Sequence, residues 1–180
     1  MGADPTKFSA SAASEKLAAN MVLRVGADGN ATYWRITHVF DKNAYVMEVS
    51  TPEMARYARR PQLRRLSDLL ELRKSGKATL GKIKLPAEFV STIDSKDSGV
   101  EEPASTASIR PLVTALDDEQ NLSRWTFTKL IADRAAELGI SAVTLRRLLL
   151  RYYYFGRLEA ALRPLAPGPA AGAANGPDEQ

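Results

Sequence analysis

The run Ala135-Ala136-Glu137-Leu138-Gly139-Ile140-Ser141-Ala142-Val143-Thr144-Leu145-Arg146-Arg147 constrains the fold more than any other stretch of the chain. It joins two amphipathic segments, Trp125–Leu138 and Ser141–Tyr154, with only Gly139 and Ile140 between them. In the first segment Leu130, Ile131, Ala135 and Leu138 recur at the spacing of one helix face. Glycine enters the left-handed conformation that ends a helix without a Cβ clash, so Gly139 predicts the stop. Ile140 is then expected to drop into the core as the chain turns. Ser141 can cap the next helix, because its hydroxyl can accept from an otherwise free amide of the first turn. The expected buried seam of that helix is Leu145, Leu148 and either Leu149 or Tyr152. Its outward face is Ala142, Val143, Arg146, Arg147, Leu150 and Arg151. Ala135 is small where the two helices should cross, so they can approach closely. Two helices joined this tightly predict a helix-turn-helix.

That geometry suits duplex DNA. Ala142, Val143 and Thr144 leave the helix start slim enough to enter a major groove, where they can touch a thymine methyl group. Arg146 and Arg147 follow at the right distance to reach guanine edges. Arg124, Thr126 and Lys129 at the start of the preceding helix, together with Ser141 and Arg151, are candidates for phosphate contacts. A plain helical hairpin can also carry arginines on its solvated face. The glycine stop, the serine cap and the Thr-Leu-Arg-Arg run together favour a DNA reader over a charge run.

Upstream, Met21–Val25 is a short apolar run closed by Gly26-Ala27-Asp28-Gly29-Asn30, a strong turn signal. Thr32–Phe40 then alternates, with Trp34, Ile36, His38 and Phe40 on one face and Tyr33, Arg35, Thr37 and Val39 on the other. After the turn Asp41-Lys42-Asn43, Ala44–Val49 is strand-like, with Tyr45, Met47 and Val49 on one side. Three strands joined by tight turns predict an antiparallel meander, read here as the curled sheet of a small barrel. Beyond Pro52 the pattern turns helical or irregular and strongly basic. Arg56, Arg59, Arg60, Arg64 and Arg65 can grip a DNA backbone or simply form a solvated face. Ser67 can cap a short helix carrying Leu69, Leu70 and Leu72 that ends near Gly76, and Lys77–Leu85 can return as an edge strand. Tyr33, Trp34 and Phe40 offer rings for stacking on unpaired bases, but sheet core explains them more simply.

Charge divides the chain. Residues 21–92 hold 13 basic and 7 acidic side chains and residues 121–163 hold 8 and 3, whereas residues 93–120 hold 7 acidic and 2 basic. The net charge of +4 and pI near 9.4 therefore come from arginine-rich stretches, which points to an anionic partner. These shifts predict a flexible arm over 1–20, a basic β-rich domain over 21–92, an acidic linker over 93–108 and a helix-turn-helix domain over 109–163. In the last, a helix begins near Ile109 and runs through Leu112, Val113 and Leu116. A Pro/Gly/Ala tail over 164–180 buries little and is expected to be disordered.

The chain has no cysteine, which excludes disulfides, thiolate catalysis and cysteine zinc sites. His38 is the sole histidine, expected as a strand residue near the surface with no partner for catalysis or zinc. No phosphate-cradling glycine loop is present, and the acidic pairs Glu101-Glu102 and Asp117-Asp118 read as linker and helix-start charge. No cofactor and no metal are expected. No apolar run is long enough to cross a bilayer and residues 1–20 lack the core of a secretory signal, so a cytoplasmic, nucleoid-associated location in a bacterium is expected, with no membrane partner.

The stretch "AAELGISAVTLRRLLLRYYYFGRLEAALRPL" resembles the helix-turn-helix in the N-terminal DNA-binding part of bacterial transposases of the TnsB and phage Mu type. The likeness rests on the Leu-Gly-Ile-Ser turn, the Thr-Leu-Arg-Arg run, the aromatic helix end at Tyr152–Phe155, Gly156, and the segment Ala161, Leu162 and Pro164. The earlier "ATYWRITHVFDKNAYVMEV" and "RRLSDLLELRKSGKATL" are similar to the β-rich module that precedes it, so the resemblance runs over about residues 21–165. It implies recognition of transposon-end repeats by several copies of the protein on tandem sites, alongside other transposition proteins. Members of that family continue into a catalytic domain whose acidic residues bind metal. The sequence up to Gln180 leaves no room for it, so these residues are expected to bind DNA and not to be an enzyme. A transcriptional regulator using the same helices, and a protein-interaction module of a transposition complex, remain the alternatives.

Overall fold

The computed structural model describes residues 16–27, 29–87, 89 and 104–163. The expected arm as far as residue 15, most of the acidic linker and the tail from Pro164 lie outside those residues. Five antiparallel strands form the sheet: β1 (Val22–Val25), β2 (Thr32–Val39), β3 (Asn43–Val49), β4 (Gln62–Arg65) and β5 (Ala78–Leu80). A helix, α1 (Leu66–Lys74), connects the last two. After the undescribed stretch come α2 (Ala104–Leu116), α3 (Arg124–Leu138) and α4 (Ala142–Tyr154), with short 3-10 turns at Glu119–Leu122 and Glu159–Leu162. The α+β composition is as expected, and α2 starts ahead of the expected Ile109.

The barrel is not formed. The strand order is β4-β3-β2-β1-β5, an open sheet with β4 and β5 at opposite edges. Closure requires those two edges to pair, but the chain between them is spent on α1, which packs on the sheet and buries Leu69. With α1 over part of one face and α2 to α4 on the other, the sheet buries apolar residues on both sides without closing on itself. Ser67 does not cap α1. The helix already begins at Leu66, and the Ser67 hydroxyl donates to Asp68 at 3.1 Å instead.

Alternation in the strands decides what each face holds. Val22, Tyr45, Met47 and Val49 point toward the helices and share a continuous core with Ile109, Leu112, Phe127, Ile131, Leu145 and Leu149. Leu23, Ile36, Ala44 and Val46 point the other way and pack with Leu17 and Leu69. In β2 the expected alternation breaks. Ile36 pairs with Val46 but His38 pairs with Tyr45, so Thr37 is an extra residue, a β-bulge. A one-residue insertion moves every later side chain to the opposite face. Trp34, Ile36 and Val39 therefore lie on the α1 side, while His38 and Phe40 lie with the helices, His38 against Tyr153 at a 5.1 Å ring separation. His38 is not near the surface as expected but 3% exposed.

The sheet meets the helices through polar groups at the C-terminal end of α4. The Tyr154 hydroxyl accepts from Ser50 N at 2.7 Å and donates to Thr51 O at 2.8 Å. Arg157 donates to Thr37 O at 3.2 Å and to Asp117 Oδ1 at 3.0 Å, and Arg60 donates to Leu122 O at 3.0 Å. Arg35, 6% exposed, reaches under the turn after α4 and donates to Asn20 O at 2.8 Å. Gly156 ends α4 with φ 76°, its amide bonding Tyr153 O and the Arg157 amide bonding Tyr152 O, which is the Schellman pattern. A Cβ at Gly156 would collide with Arg35 Nη1. This turn thus needs glycine for its conformation and again for the approach of the arginine.

Two predictions arise from this joint. Gly156→Ala should lower stability by about 1–3 kcal/mol through its left-handed φ alone, read as a lower urea midpoint. An unchanged midpoint would show that turn and arginine relax without cost. The second concerns His38, whose pKa is pushed down to about 4 from 6.5, chiefly by burial and secondarily by Arg157, with Asp117 opposing. The imidazole is therefore neutral at pH 7, and its 3.7 Å approach to Asp117 is not an ion pair there. Between pH 6.5 and about 4 the unfolded chain takes up a proton that the folded chain refuses. Stability from this group is complete above 6.5 and is lost as pH falls through that window, by roughly 3 kcal/mol in total. His38→Gln should flatten the urea midpoint over the same range, and an unaltered slope would assign the acid sensitivity to carboxylates.

Candidate nucleic-acid interface

Helices α3 and α4 form as the sequence dictates. Ser123 caps α3 by accepting from Thr126 N at 3.2 Å, and Ser141 caps α4 by accepting from Val143 N at 3.2 Å. Gly139 stands between them at φ 64° and ψ 28°, with its amide bonding Ala136 O and the Ile140 amide bonding Ala135 O. That second Schellman turn redirects the chain within three residues. Ala135 is 3% exposed where α3 packs on α4, as its small size requires. Ile140 does not drop into the core. It stays 39% exposed, because the turn closes through backbone hydrogen bonds and leaves its side chain on the outer side.

In α4 the buried seam is Leu145, Leu149 and Tyr153, spaced four apart, widened by Leu150 and Tyr154. Leu148 and Tyr152 are half-buried at its margin. The exposed face is the N-terminal half: Ala142, Val143, Thr144, Arg146 and Arg147 all stand in solvent. Among the described residues neither the Arg146 nor the Arg147 side chain makes a hydrogen bond or ion pair, so both guanidiniums stand in solvent. Leu150, expected on that face, is buried at 5%. It belongs to the core that also takes Ala55 of the Pro52–Tyr57 turn, which packs against α4. Arg151 is half-buried with its guanidinium 5.9 Å from the Phe89 ring centre, so its stem covers core while the base-reading candidates stay clear.

The phosphate candidates divide. Arg124 and Ser141 are exposed beside their helix starts, where free amides and the helix dipole favour an anion. Both serine caps already occupy one amide, and Thr126 accepts from Ser123 Oγ at 2.9 Å. Lys129 pairs with Asp133 at 2.6 Å one turn along α3, an exposed pair whose opening costs about 0–1 kcal/mol. The five arginines of 56–65 sit elsewhere. Arg56 and Arg59 lie on or just after the Pro52–Tyr57 turn, Arg64 and Arg65 lie on the edge strand β4, and Arg60 is committed to Leu122 O. Arg56 stacks on Tyr57 at 4.7 Å and Arg64 on Trp34 at 5.4 Å. The Tyr154 hydroxyl is used on Ser50 N and Thr51 O and is not part of this surface.

Sequence reasoning missed β4. All four of its residues are exposed, so no apolar alternation marks it, and only its pairing with β3 makes it a strand. Among the described residues no cluster of acids and histidine is placed to hold a metal ion, and no helix is long and apolar enough to cross a membrane. No model of a known protein family matches the chain, and no curated protein matches it.

The burial of Leu150 separates the expected face from the observed one. Leu150→Ala should cost about 2–5 kcal/mol as a core truncation. A surface leucine would cost less than about 0.5 kcal/mol, so a flat result in a denaturant titration would return Leu150 to the exposed face.

Proposed function

We propose that the α3–α4 unit is a helix-turn-helix that reads duplex DNA, with α4 in the major groove. The observation that carries this reading is the exposed start of α4. Three small side chains, Ala142, Val143 and Thr144, are followed by two arginines, Arg146 and Arg147, that stand clear of the fold. Slim residues let the helix axis come close to the base edges, and a guanidinium matches the paired acceptors of guanine. Arg124, Lys129 and Ser141 flank this face near the starts of the same two helices and serve as phosphate contacts that set its register. Cap, turn and reading residues thus all lie within the run of residues 123–147.

The TnsB and Mu resemblance makes repeated transposon ends the preferred class of site, bound by several copies in the bacterial cytoplasm. Binding, and not catalysis, is the activity assigned to these residues. Selection from a random duplex library at about 150 mM salt tests the reading, since non-specific phosphate binding is already screened there. The expected product is a long asymmetric motif. Arg146→Ala or Arg147→Ala should then cost about 1–3 kcal/mol on that site and relax preference at one base pair. A short palindrome would transfer the unit to a symmetric regulator, and no enrichment would remove the reading and leave a protein-interaction module.

A further inference from the structure

Beside α1, the sheet face turned away from α2–α4 opens into a groove of about 540 Å³. Trp34 and Val46 of the sheet line it together with Met54 and Tyr57 of the turn, Arg59, and Arg64 of β4. A space of that size falls in the range of roughly 300–1,000 Å³ that accepts a compact ligand. Its apolar surface is ring-rich and exposed for a protein interior edge: Tyr57 is 60% exposed and Met54 46%. Its charge is one-sided. Arg59, Arg60 and Arg64 line it against Glu48, with Arg56 stacked on Tyr57 beside them.

We infer that this groove binds single-stranded nucleic acid without sequence preference. The two guanidinium-on-ring pairs, Arg64 over Trp34 and Arg56 over Tyr57, are flat cationic platforms on which unpaired bases stack, while Arg59 meets the phosphates. A duplex does not suit this surface, because its bases are stacked internally and cannot reach a half-buried ring at the bottom of a concavity. An acidic peptide satisfies the charges but brings no flat ring to stack on the two guanidinium-on-ring platforms. The inference does not depend on α4 reading duplex DNA: Tyr154 at the C-terminal end of α4 also lines the groove, but Trp34, Tyr57, Arg59 and Arg64 belong to other elements and none is part of the exposed start of α4.

The chain has two tryptophans, Trp34 and Trp125, so the full chain carrying Trp125→Phe reports on Trp34 alone. Oligothymidylate and oligouridylate should each quench that fluorescence saturably, more weakly as salt rises, and whichever binds more tightly identifies the strand chemistry the groove takes. Combining Tyr57→Ala with Arg59→Ala, both exposed and therefore tolerated by the fold, should weaken either strand by about tenfold or more while the far-ultraviolet circular dichroism is unchanged. Absence of quenching, equal binding of polyglutamate, or indifference to the double substitution would each overturn the inference. The quench is read without any duplex site, so failure of the duplex reading leaves this test intact.

Discussion

The arrangement depends on how the end of α4 is fastened to the sheet. Tyr154 holds the backbone at Ser50 and Thr51, Arg157 holds Thr37 and Asp117, and the Gly156 turn lies over the buried Arg35. A helix held at its C-terminal end, and along its side by Leu145, Leu149 and Tyr153 in the core, has its exposed face fixed in space without contacts from that face. That is the mechanical condition for the reading face proposed above. Ala142 to Arg147 can be presented to a groove because Leu149 to Tyr154 are not free to move.

The joint is an unusual way to hold two layers together. Arg35 Nε, His38 Nε2, the Tyr153 hydroxyl and Arg157 Nε are buried and have no hydrogen-bond partner among the described residues. Burying such groups costs about 1–3 kcal/mol each when they go unsatisfied, so apolar residues of similar shape would hold the layers with less penalty. What polar groups add is direction. The Tyr154 hydroxyl bonds two backbone groups at once, and Arg157 bonds the carbonyl of Thr37, the bulged residue of β2. The apolar seam of α4 supplies the attraction, and the polar contacts at its end add directional bonds to the sheet.

Local chemistry was legible and long-range packing was not. Ser123, Gly139 and Ser141 act through bonds to residues two to five positions away, so α3, its stop and α4 were readable almost to the residue. The five candidate base readers are exposed, as their positions on the helix predicted. Ile140 and Ser67 were misread for local reasons, the geometry of the Gly139 turn and a helix start one residue early, but the other errors come from partners distant in sequence. Leu150 reads as a surface residue until the core shared with Ala55 takes it in, and His38 reads as exposed until Tyr153 packs on it. The barrel was inferred from three strands without sight of the helices that pack on the two faces. A single inserted residue, Thr37, reversed the assignment of His38 and Val39, and period-two counting cannot detect a bulge that the pairing with Tyr45 creates. β4 was invisible for the same reason, since its strand character comes from β3 and not from its own side chains.

The bulge is more than an irregularity of one strand. Without it, regular alternation would carry His38 and Phe40 to the α1 side and bring Val39 to the helices. The polar and aromatic contacts that Tyr153 and Asp117 make with His38 would be lost, and the carbonyl that Arg157 uses would face elsewhere. The Thr37 hydroxyl holds the insertion in place by donating to Tyr45 O at 3.1 Å inside the core. One residue in β2 thus sets the seat on which the end of α4 rests, and through that rigid helix it sets the direction in which Arg146 and Arg147 point. The placement of the exposed start of α4 therefore depends in part on a strand residue more than a hundred positions earlier in the sequence.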